Sequence, residues 1–264
     1  MESKVLLLDI DGVLLNQEDD TKPKVWAELK KLISRGISVS FVTARPYGLS
    51  AHLIDKLGTK SGIHIFENGN FIYEPSKQEI HGGLYLDSQT SQTIMDVVSN
   101  QLDHIRFGYS QGKVFFANLK YFNELIGYMP KIAYDLFESF DNKNKISFWV
   151  KDIHEIIGKE LTSKLGNEIT IYSYEQRDHL FSFFIHPKSG NKLEGVKILS
   201  KSLGVRLADM VFIGDDTKDV ELAKSVGLSF APLNATDDMK QAATFVSTKL
   251  YSEVILDAIS RLWS

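Results

Sequence analysis

The sequence contains no cysteine and no long apolar segment. The absence of cysteine from 264 residues excludes disulfide bonds, thiolate metal sites and a cysteine nucleophile. The apolar run Val5–Leu8 stops at Asp9, well short of a signal-peptide core. No segment approaches the roughly 20 apolar residues that span a bilayer. We therefore expect a cytoplasmic protein that does not enter a membrane.

An excess of positive charge is also lacking. Lys and Arg number 30 against 34 Asp and Glu, which gives a net charge of -4. Without a basic patch or stripe, we expect no nucleic-acid partner. The overall field mildly repels anions, so an anionic ligand must be attracted by local groups or by a metal ion. The apolar fraction of 43% is that of an ordinary globular protein.

Short apolar runs alternate with amphipathic segments in the first quarter of the chain. Lys4–Asp9 is typical of a strand buried on both faces, and Val25, Leu29 and Leu32 repeat at helical spacing. The predicted elements are strands at Lys4–Asp9, Ile37–Thr43 and Ile63–Phe66 and helices at Thr21–Arg35 and Pro46–Leu57. This alternation predicts a Rossmann-like parallel sheet of the α/β class.

The pattern changes between about Leu84 and His186. Glu67–Asn70 predicts a turn into a hairpin, and beyond it paired strands are interspersed with helices. The predicted helices are Ser88–Leu102, Phe122–Phe137 and Ile153–Leu165, and the predicted strands are Ile105–Tyr109, Val114–Asn118, Ile146–Val150, Glu168–Tyr174 and His179–His186. The α/β alternation resumes at Lys192, with a helix predicted to Leu203 and strands predicted at Met210–Ile213 and Leu228–Ala231. We predict a core of residues 1–82 and 188–264 and an inserted α+β cap domain at residues 83–187.

Four short signals contain the side chains that can carry chemistry. They are DIDGV at Asp9–Val13, VTARP at Val42–Pro46, Lys192 at a helix start, and GDDTKD at Gly214–Asp219. All but the lysine follow a predicted strand, and the carboxyl ends of parallel strands meet at one edge of a sheet. Each signal alone is more often a polar turn, a helix cap or a solvated side chain. Their conjunction predicts one site.

Several carboxylates at one edge of a sheet require a cation. Asp9, Asp11, Asp215 and Asp219 would repel one another unless a positive ion lay among them. Oxygen ligands without cysteine favour a hard ion, which indicates Mg²⁺. With Lys192 and the metal to offset repulsion, a phosphate group can approach a carboxylate nucleophile.

The motifs resemble those of the haloacid dehalogenase superfamily of phosphohydrolases. DIDGV, the Thr of VTARP, the Lys and GDDTKD follow the order of that family. The insertion between the Thr and Lys motifs looks like the large α/β cap of its Cof-type sugar-phosphatase branch, and the ENG turn and Asn234–Ala235 are similar to that branch. The resemblance covers essentially the whole chain. It implies a Mg²⁺-dependent phosphatase that acts on a small phosphorylated metabolite, with a sugar phosphate expected first.

The resemblance also implies catalytic roles. Asp9 is expected to be the nucleophile that forms an aspartyl-phosphate and to bind Mg²⁺ through its other oxygen. Asp11 is expected to protonate the leaving alkoxide, then to deprotonate the attacking water, while its backbone carbonyl reaches the metal. Thr43 and Lys192 are expected to hold the transferring phosphoryl group.

The last motif completes the implied metal site. Asp215 is expected to be a ligand, and Asp219 is expected to orient the metal shell or its waters. One position departs from the branch, which usually has Asn where this chain has Lys218. An extra cation there would either tighten phosphate binding or displace an amide that orients water.

Four more residues are candidates for substrate binding. Arg45 closely follows Thr43 and would either touch substrate or brace the first helix. Asn68 lies in the turn that leads to the predicted cap, and forming that turn is its alternative role. Arg177 and His179 flank a hairpin turn of the cap, where ordinary surface residues are the alternative.

Other classes of protein also combine acidic residues with a threonine and a lysine. A signalling receiver domain would have its acceptor Asp after the third strand and would lack the insertion, so the motif order argues against it. A phosphomutase of the same superfamily and a non-catalytic sugar-phosphate-binding protein remain as alternatives. The sequence leaves monomer and homodimer equally open.

Overall fold

The computed structural model describes residues 4–16, 21–58, 62–141, 143–176 and 179–263. The strands are β1 Val5–Leu8, β2 Ser38–Phe41, β3 His64–Phe66, β4 Phe71–Glu74, β5 Glu79–Gly83, β6 Arg106–Gln111, β7 Val114–Ala117, β8 Tyr134–Leu136, β9 Ser147–His154, β10 Ile169–Glu175, β11 Leu180–Pro187, β12 Met210–Ile213, β13 Leu228–Ala231 and β14 Phe245–Val246. The helices are α1 Pro23–Ser34, α2 Tyr47–Leu57, α3 Ser88–Val98, α4 Leu119–Tyr128, α5 Glu155–Leu165, α6 Lys192–Leu203, α7 Val220–Ser225, α8 Asp237–Ala242 and α9 Glu253–Leu262. Within these described ranges, every helix is too short or too polar to cross a membrane.

The chain forms two compact units. Unit 1 comprises Met1–Arg45, Leu53–Gly83 and Asn191–Ser264, and unit 2 comprises Pro46–His52 and Leu84–Gly190. The predicted boundaries put residues 46–52 in the core, whereas the structure groups them with unit 2. Leu49 accounts for this grouping, because it packs in one apolar cluster with Phe115 and Tyr121. The role of unit 2 as a substrate cap stays a prediction.

A five-stranded parallel sheet organises unit 1, with strand order β14-β13-β12-β1-β2. The register places Val5 opposite Met210 and Leu8 opposite Ile213. Every residue of β1 and β12 is buried. This burial agrees with their continuous apolar sequences, which are typical of strands covered on both faces. The predicted α/β class with a Rossmann-like sheet is confirmed.

The third predicted strand does not extend this sheet as a regular neighbour. β3 forms an antiparallel sheet with β4 and β5, and an isolated parallel bridge joins Ile65 of β3 to Val42, directly after β2. β3 pairs with β4 because the turn at Glu67–Asn70 reverses the chain directly after β3. The hairpin that these residues predict is therefore present.

A buried histidine connects the two sheets of unit 1. The Phe41 backbone N–H donates to Nδ1 of His64 at 3.0 Å. The imidazole must be neutral to accept this bond, and burial lowers the pKa of His64 to about 3. His64 thus takes the place of a backbone acceptor next to β2.

Unit 2 contains a six-stranded sheet in the order β10-β11-β9-β6-β7-β8. Its pairs are antiparallel except for β7 with β8. Side chains of β6, β9 and β11 pack with those of α3 and α5 in one apolar cluster, which includes Phe107, Phe148, Ile94 and Leu161. This is the α+β arrangement predicted for the insertion.

One predicted helix of unit 2 is wrong. The sequence predicts a helix at Phe122–Phe137, but α4 begins at Leu119 and ends at Tyr128, and Tyr134–Leu136 is a strand. The Asn118 side chain caps the helix by accepting the Tyr121 N–H. Pro130 disfavours helical backbone at the residue before it, which ends the helix early. The remaining apolar residues then pair with β7.

Candidate active site

Three adjacent parallel strands of unit 1 end at the same edge of the sheet. β12, β1 and β2 are neighbours in that order, and Asp9 directly follows β1. The Asp9 backbone N–H donates to the Ile213 carbonyl at 3.0 Å, and the Val42 N–H donates to the Leu8 carbonyl at 2.8 Å. These bonds keep the strand ends in register, so the residues that follow the three strands leave the sheet at the same edge.

Asp9 is a buried carboxylate with two fixed oxygens. Oδ1 accepts the Ile10 backbone N–H at 2.7 Å, and Oδ2 accepts Nζ of Lys192 at 2.6 Å. Burial raises the pKa of Asp9 well above its usual value; Lys192 opposes this rise, and the charges of Asp219 and Asp215 add to it. The anion therefore benefits from any further positive charge that arrives.

Lys192 lies at the first residue of α6, and its ammonium connects two carboxylates. The helix start is capped by Asn191, whose side chain accepts the Glu194 N–H. Nζ of Lys192 lies 2.6 Å from Oδ2 of Asp9 and 2.7 Å from Oδ1 of Asp219. Burial alone would lower the pKa of Lys192, but these two carboxylates outweigh burial and raise it. Lys192 is therefore a fixed cation at the site.

Asp219 organises the loop after β12. It is fully buried, and its Oδ2 accepts the backbone N–H groups of Asp215 at 2.9 Å and Asp216 at 3.2 Å. A side chain at Gly214 would place Cβ 2.5 Å from the same oxygen, so the loop requires glycine there. Both oxygens of Asp219 thus also accept hydrogen bonds within the protein, and its predicted role in orienting the metal shell stays a prediction.

Asp215 packs against the first motif. The backbone of Gly12 has a φ of +75°, and a Cβ at this position would lie 1.9 Å from Oδ2 of Asp215. Position 12 therefore requires glycine, both for its positive φ and for the close approach of Asp215. Burial, and next the charge of Asp219, raise the pKa of Asp215 to about 7.

The donor set fits a hard divalent cation. Asp9, Asp215 and Asp219 each offer one carboxylate oxygen, and these atoms lie within 4.8 Å of one another. Burial is the main cause of the raised pKa values of Asp9 and Asp215, so a bound cation would stabilise the charged form of each carboxylate. All-oxygen donors suit Mg²⁺, Ca²⁺ or Mn²⁺ rather than a soft metal. Its identity as Mg²⁺ stays a prediction.

Asp11 lies outside that carboxylate group. Its side chain is 58% exposed and forms a bidentate pair with Arg45, whose Nη2 lies 2.6 Å from Oδ1 and whose Nε lies 2.9 Å from Oδ2. A carboxylate held in this way is oriented by a planar cation. Arg45 therefore orients the predicted acid–base residue, a contact that the sequence does not predict.

Thr43 and Asn68 form a connected buried pair beside Arg45. Oγ1 of Thr43 accepts the Arg45 backbone N–H at 3.1 Å, and the Asn68 N–H donates to the Thr43 carbonyl at 3.0 Å. Asn68 has a φ of +54°. Its buried side-chain Nδ2 has no hydrogen-bond partner within the described residues. A donor so placed can still serve a ligand.

The structure describes only one of the two residues predicted at the turn between β10 and β11. Arg177 lies outside the described residues. His179 is in unit 2, where its exposed ring has Nδ1 at 3.2 Å from Oε1 of Glu175. Substrate binding by either residue stays a prediction.

Two features of unit 1 were not predicted as site residues. Asn234 donates from Nδ2 to the Gly12 carbonyl at 2.9 Å and accepts the Tyr251 N–H at 2.8 Å, so it supports the first motif loop. The NA pair at Asn234 was its only signal in the sequence.

A group of two acids and an imidazole, Glu74, Glu79 and His81, occurs on the β4–β5 hairpin. Glu74 there is also paired with Lys77, which accounts for its charge without a ligand.

Known proteins resemble this chain in sequence and in fold. The phosphatase YbjI of Escherichia coli, named for 5-amino-6-(5-phospho-D-ribitylamino)uracil, is 21% identical over 99% of this chain and 97% of its own. A haloacid dehalogenase-like hydrolase from Bacteroides thetaiotaomicron superposes with a TM-score of 0.85 at 19% identity, covering 99% of this chain and all 100% of its own.

A second solved structure and a family model complete the comparison. The subclass IIB sugar phosphatase BT4131 superposes with a TM-score of 0.74 at 19% identity, over 98% of each chain. The family model of haloacid dehalogenase-like hydrolases matches residues 6–259. The family predicted from the motifs is therefore confirmed: the chain belongs to the haloacid dehalogenase-like hydrolases, among relatives that are named phosphatases.

Proposed function

We propose that this phosphatase is a Mg²⁺-dependent phosphomonoesterase that works through an aspartyl-phosphate on Asp9. One observation carries the proposal. The buried carboxylate of Asp9 is fixed by Lys192 and by a backbone N–H, beside the oxygens of Asp215 and Asp219. A bound Mg²⁺ would supply positive charge against the phosphoryl oxygens and the carboxylates.

Asp9 and Asp11 divide the first half-reaction. An oxygen of Asp9 forms a bond to phosphorus while the phosphorus–oxygen ester bond breaks. The leaving alkoxide takes a proton from Asp11, whose exposed carboxyl group is oriented by Arg45. Lys192 stays paired with Asp9 and Asp219 and offsets the charge of the phosphoryl group.

The second half-reaction regenerates the carboxylate. A water oxygen forms a bond to phosphorus, the Asp9–phosphorus linkage breaks, and Asp11 accepts the proton of the water. Because Asp11 acts first as acid and then as base, its protonation state alternates with the phosphorylation state of Asp9. Thr43, which is fixed by the Arg45 N–H, and the buried amide of Asn68 are the proposed donors to the phosphoryl oxygens.

A small phosphorylated metabolite is the proposed substrate class, with sugar phosphates first. The names of two relatives support this choice, one for a ribityl phosphate and one for sugar phosphates. Unit 2 as a substrate cap, a cytoplasmic location and a monomer or homodimer belong to the same proposal.

A phosphate-release screen with Mg²⁺ over a panel of phosphorylated metabolites tests the proposal. Asp9→Asn should lower turnover to below about a hundredth of wild type, equivalent to ~2.7 kcal/mol in the barrier, because the nucleophile is removed while the shape is kept. Asp55→Asn, an exposed carboxylate on α2, is the matched control and should keep full turnover.

Covalent labelling distinguishes the mechanism from its alternatives. Wild type quenched during turnover should carry acid-stable, hydroxylamine-labile phosphate, and Asp9→Asn should carry none. An active enzyme without such phosphate would contradict the role of Asp9. A product that is an isomeric phosphate, formed without free orthophosphate, would indicate a phosphomutase instead.

A further inference from the structure

One short segment of unit 1, Asn234–Thr236, forms hydrogen bonds with two motif loops of the candidate active site. Nδ2 of Asn234 donates to the Gly12 carbonyl at 2.9 Å, and the Thr236 backbone N–H donates to the Asp215 carbonyl at 2.8 Å. Gly12 belongs to the DIDGV motif, and Asp215 belongs to the GDDTKD motif. The segment therefore links two loops that are distant in the sequence.

The amide of Asn234 is held in one orientation. Nδ2 meets the Gly12 carbonyl, which can only accept a hydrogen bond, and Oδ1 lies 2.8 Å from the Tyr251 backbone N–H, which can only donate one. A rotation of the amide by half a turn would place acceptor against acceptor and donor against donor. Asn234 thus connects the DIDGV loop to the segment that contains Tyr251.

The linking segment is anchored in the body of unit 1. Ala235 is buried and packs in the apolar cluster that contains Leu222 and Met239. The Leu233 N–H, just before the segment, donates to the Lys249 carbonyl at 2.8 Å. Because close-packed side chains have little room to move, the segment can hold the motif loops in place rather than follow their motion.

The bond to Gly12 also affects the carboxylate of Asp215. Gly12 approaches this carboxylate so closely that a Cβ at position 12 would lie 1.9 Å from Oδ2. The segment therefore restrains Asp215 twice, at its carbonyl through Thr236 and at its side chain through the backbone of Gly12. Donor oxygens that are already fixed lose less conformational freedom when a cation binds, so they bind it more tightly.

We infer that Asn234 is a positioning residue of the cation site, which holds the DIDGV loop against Asp215 and so preorganises the carboxylates for a divalent ion. The inference rests on the proposed function, because it takes the group of Asp9, Asp215 and Asp219 to bind Mg²⁺. The side-chain oxygen of Asn234 accepts the Tyr251 N–H, so its effect on the ion is indirect. Partners that orient metal ligands commonly change metal affinity by about 10- to 100-fold.

Isothermal titration calorimetry of Mg²⁺ into metal-free protein tests the inference without turnover. Asn234→Ala removes the bonds to Gly12 and Tyr251, and the dissociation constant for Mg²⁺ should rise about tenfold. Asn234→Leu fills the space with an apolar side chain and should weaken Mg²⁺ binding at least as much. Asn234→Ala is the milder variant for folding, because it leaves room for water at the two groups that lose their partner.

Ser247→Ala is the matched control for a loss of stability in the same unit. The buried hydroxyl of Ser247 donates to Oδ2 of Asp257 at 2.7 Å and accepts the Lys249 N–H at 3.1 Å, and both partners lie outside the motifs. The control should lower the melting temperature and leave the dissociation constant for Mg²⁺ unchanged. Thermal unfolding of each metal-free variant verifies that the titrations are made on folded protein.

Two results would overturn the inference. In the first, Asn234→Ala lowers the melting temperature but binds Mg²⁺ with wild-type affinity, which would make the role of Asn234 purely structural. In the second, Ser247→Ala weakens Mg²⁺ binding as much as Asn234→Ala does, which would show that any loss of stability in unit 1 has this effect.

The same measurements separate the inference from the proposed function. Wild type that binds Mg²⁺ and releases phosphate from a metabolite supports the proposed function whatever the variants do. If Asn234→Ala then binds Mg²⁺ like wild type, only the role of Asn234 fails. If wild type neither binds Mg²⁺ nor releases phosphate, both fail.

Discussion

Each unit of the molecule buries a lysine, and the two lysines have different partners. In unit 1, the ammonium of Lys192 lies between the carboxylates of Asp9 and Asp219. In unit 2, Lys145 donates to the backbone carbonyls of Asp141 and Lys143 at 3.1 and 2.7 Å and to Oδ1 of Asp141 at 2.6 Å. It also lies over the rings of Tyr109 and Phe140.

The difference in partners predicts a structural role for Lys145 and a functional role for Lys192. The partners of Lys145 come from its own loop and from neutral groups, so its charge is balanced and its role is to hold that loop. Lys192 joins acids from two distant motifs, and Asp9 and Asp215 beside it keep raised pKa values. A buried cation among several buried carboxylates with shifted pKa values is a candidate functional site.

Replacement of each lysine by methionine should separate the two roles most clearly. Lys192→Met should lower turnover of a small aryl phosphate by at least about a hundredfold, because a fixed charge opposite the phosphoryl group is lost. Lys145→Met should leave this turnover nearly unchanged and reduce the free energy of unfolding by roughly 1.5–3 kcal/mol, because hydrogen bonds to a charged group are lost. Steady-state kinetics and urea unfolding measure the two effects.

The comparison fails if the effects are exchanged. A Lys145→Met protein that unfolds like wild type but has lost turnover would show that unit 2 takes part in the chemistry. A Lys192→Met protein with normal turnover would remove the functional distinction between the lysines.

The buried histidines extend the comparison to pH. Burial lowers the pKa of His64 in unit 1 to about 3 and that of His186 in unit 2 to about 4. Both values lie below the ordinary 6.5, so the unfolded state binds more protons between these limits. The stability that each histidine contributes is therefore complete above pH 6.5 and declines as the pH falls toward its folded pKa. At pH 5 each should have lost about 2 kcal/mol.

Hydrogen exchange between pH 5 and pH 7, resolved by segment, can assign the loss to each unit. His64→Gln should flatten the pH dependence in β2 and β3, and His186→Gln should flatten it in β10 and β11. Each variant is compared with wild type under identical conditions, so the contributions of other groups cancel. Equal flattening of all segments by one substitution would show that the units do not unfold separately.

The smallest expected effect concerns Arg177 and His179, the two predicted substrate-binding residues of the insertion. If unit 2 selects substrate, Arg177→Ala or His179→Ala should reorder the preference among metabolites and leave turnover of a small aryl phosphate nearly unchanged, since remote contacts serve a particular substrate. Stability should change by less than about 0.5 kcal/mol. His104→Ala, another exposed histidine of unit 2, is the control. A uniform loss on all substrates would count against the selection role.

Much of the fold could be predicted because its signals are local. β12, β13 and α6 have the predicted bounds, since continuous apolar runs and a capped helix start are written in a few neighbouring residues. The sheet partners of β3 and the end of the helix predicted at Phe122–Phe137 could not be predicted correctly. Strand partners and the end of α4 depend on residues that compete for the same segment, such as the Glu67–Asn70 turn and Pro130.

The sequence by itself determined the family and the proximity of Asp9 and Asp215, because the order of parallel strands brings their carboxyl ends together. Only the tertiary structure determined which partners the charged and polar side chains contact. It directs the side chain of Asp11 toward Arg45, engages both oxygens of Asp219 within the protein, and makes His64 an acceptor for the Phe41 backbone. The physical reason is that the direction of a side chain is set by the packing and hydrogen bonds around it, and those partners come from distant parts of the chain.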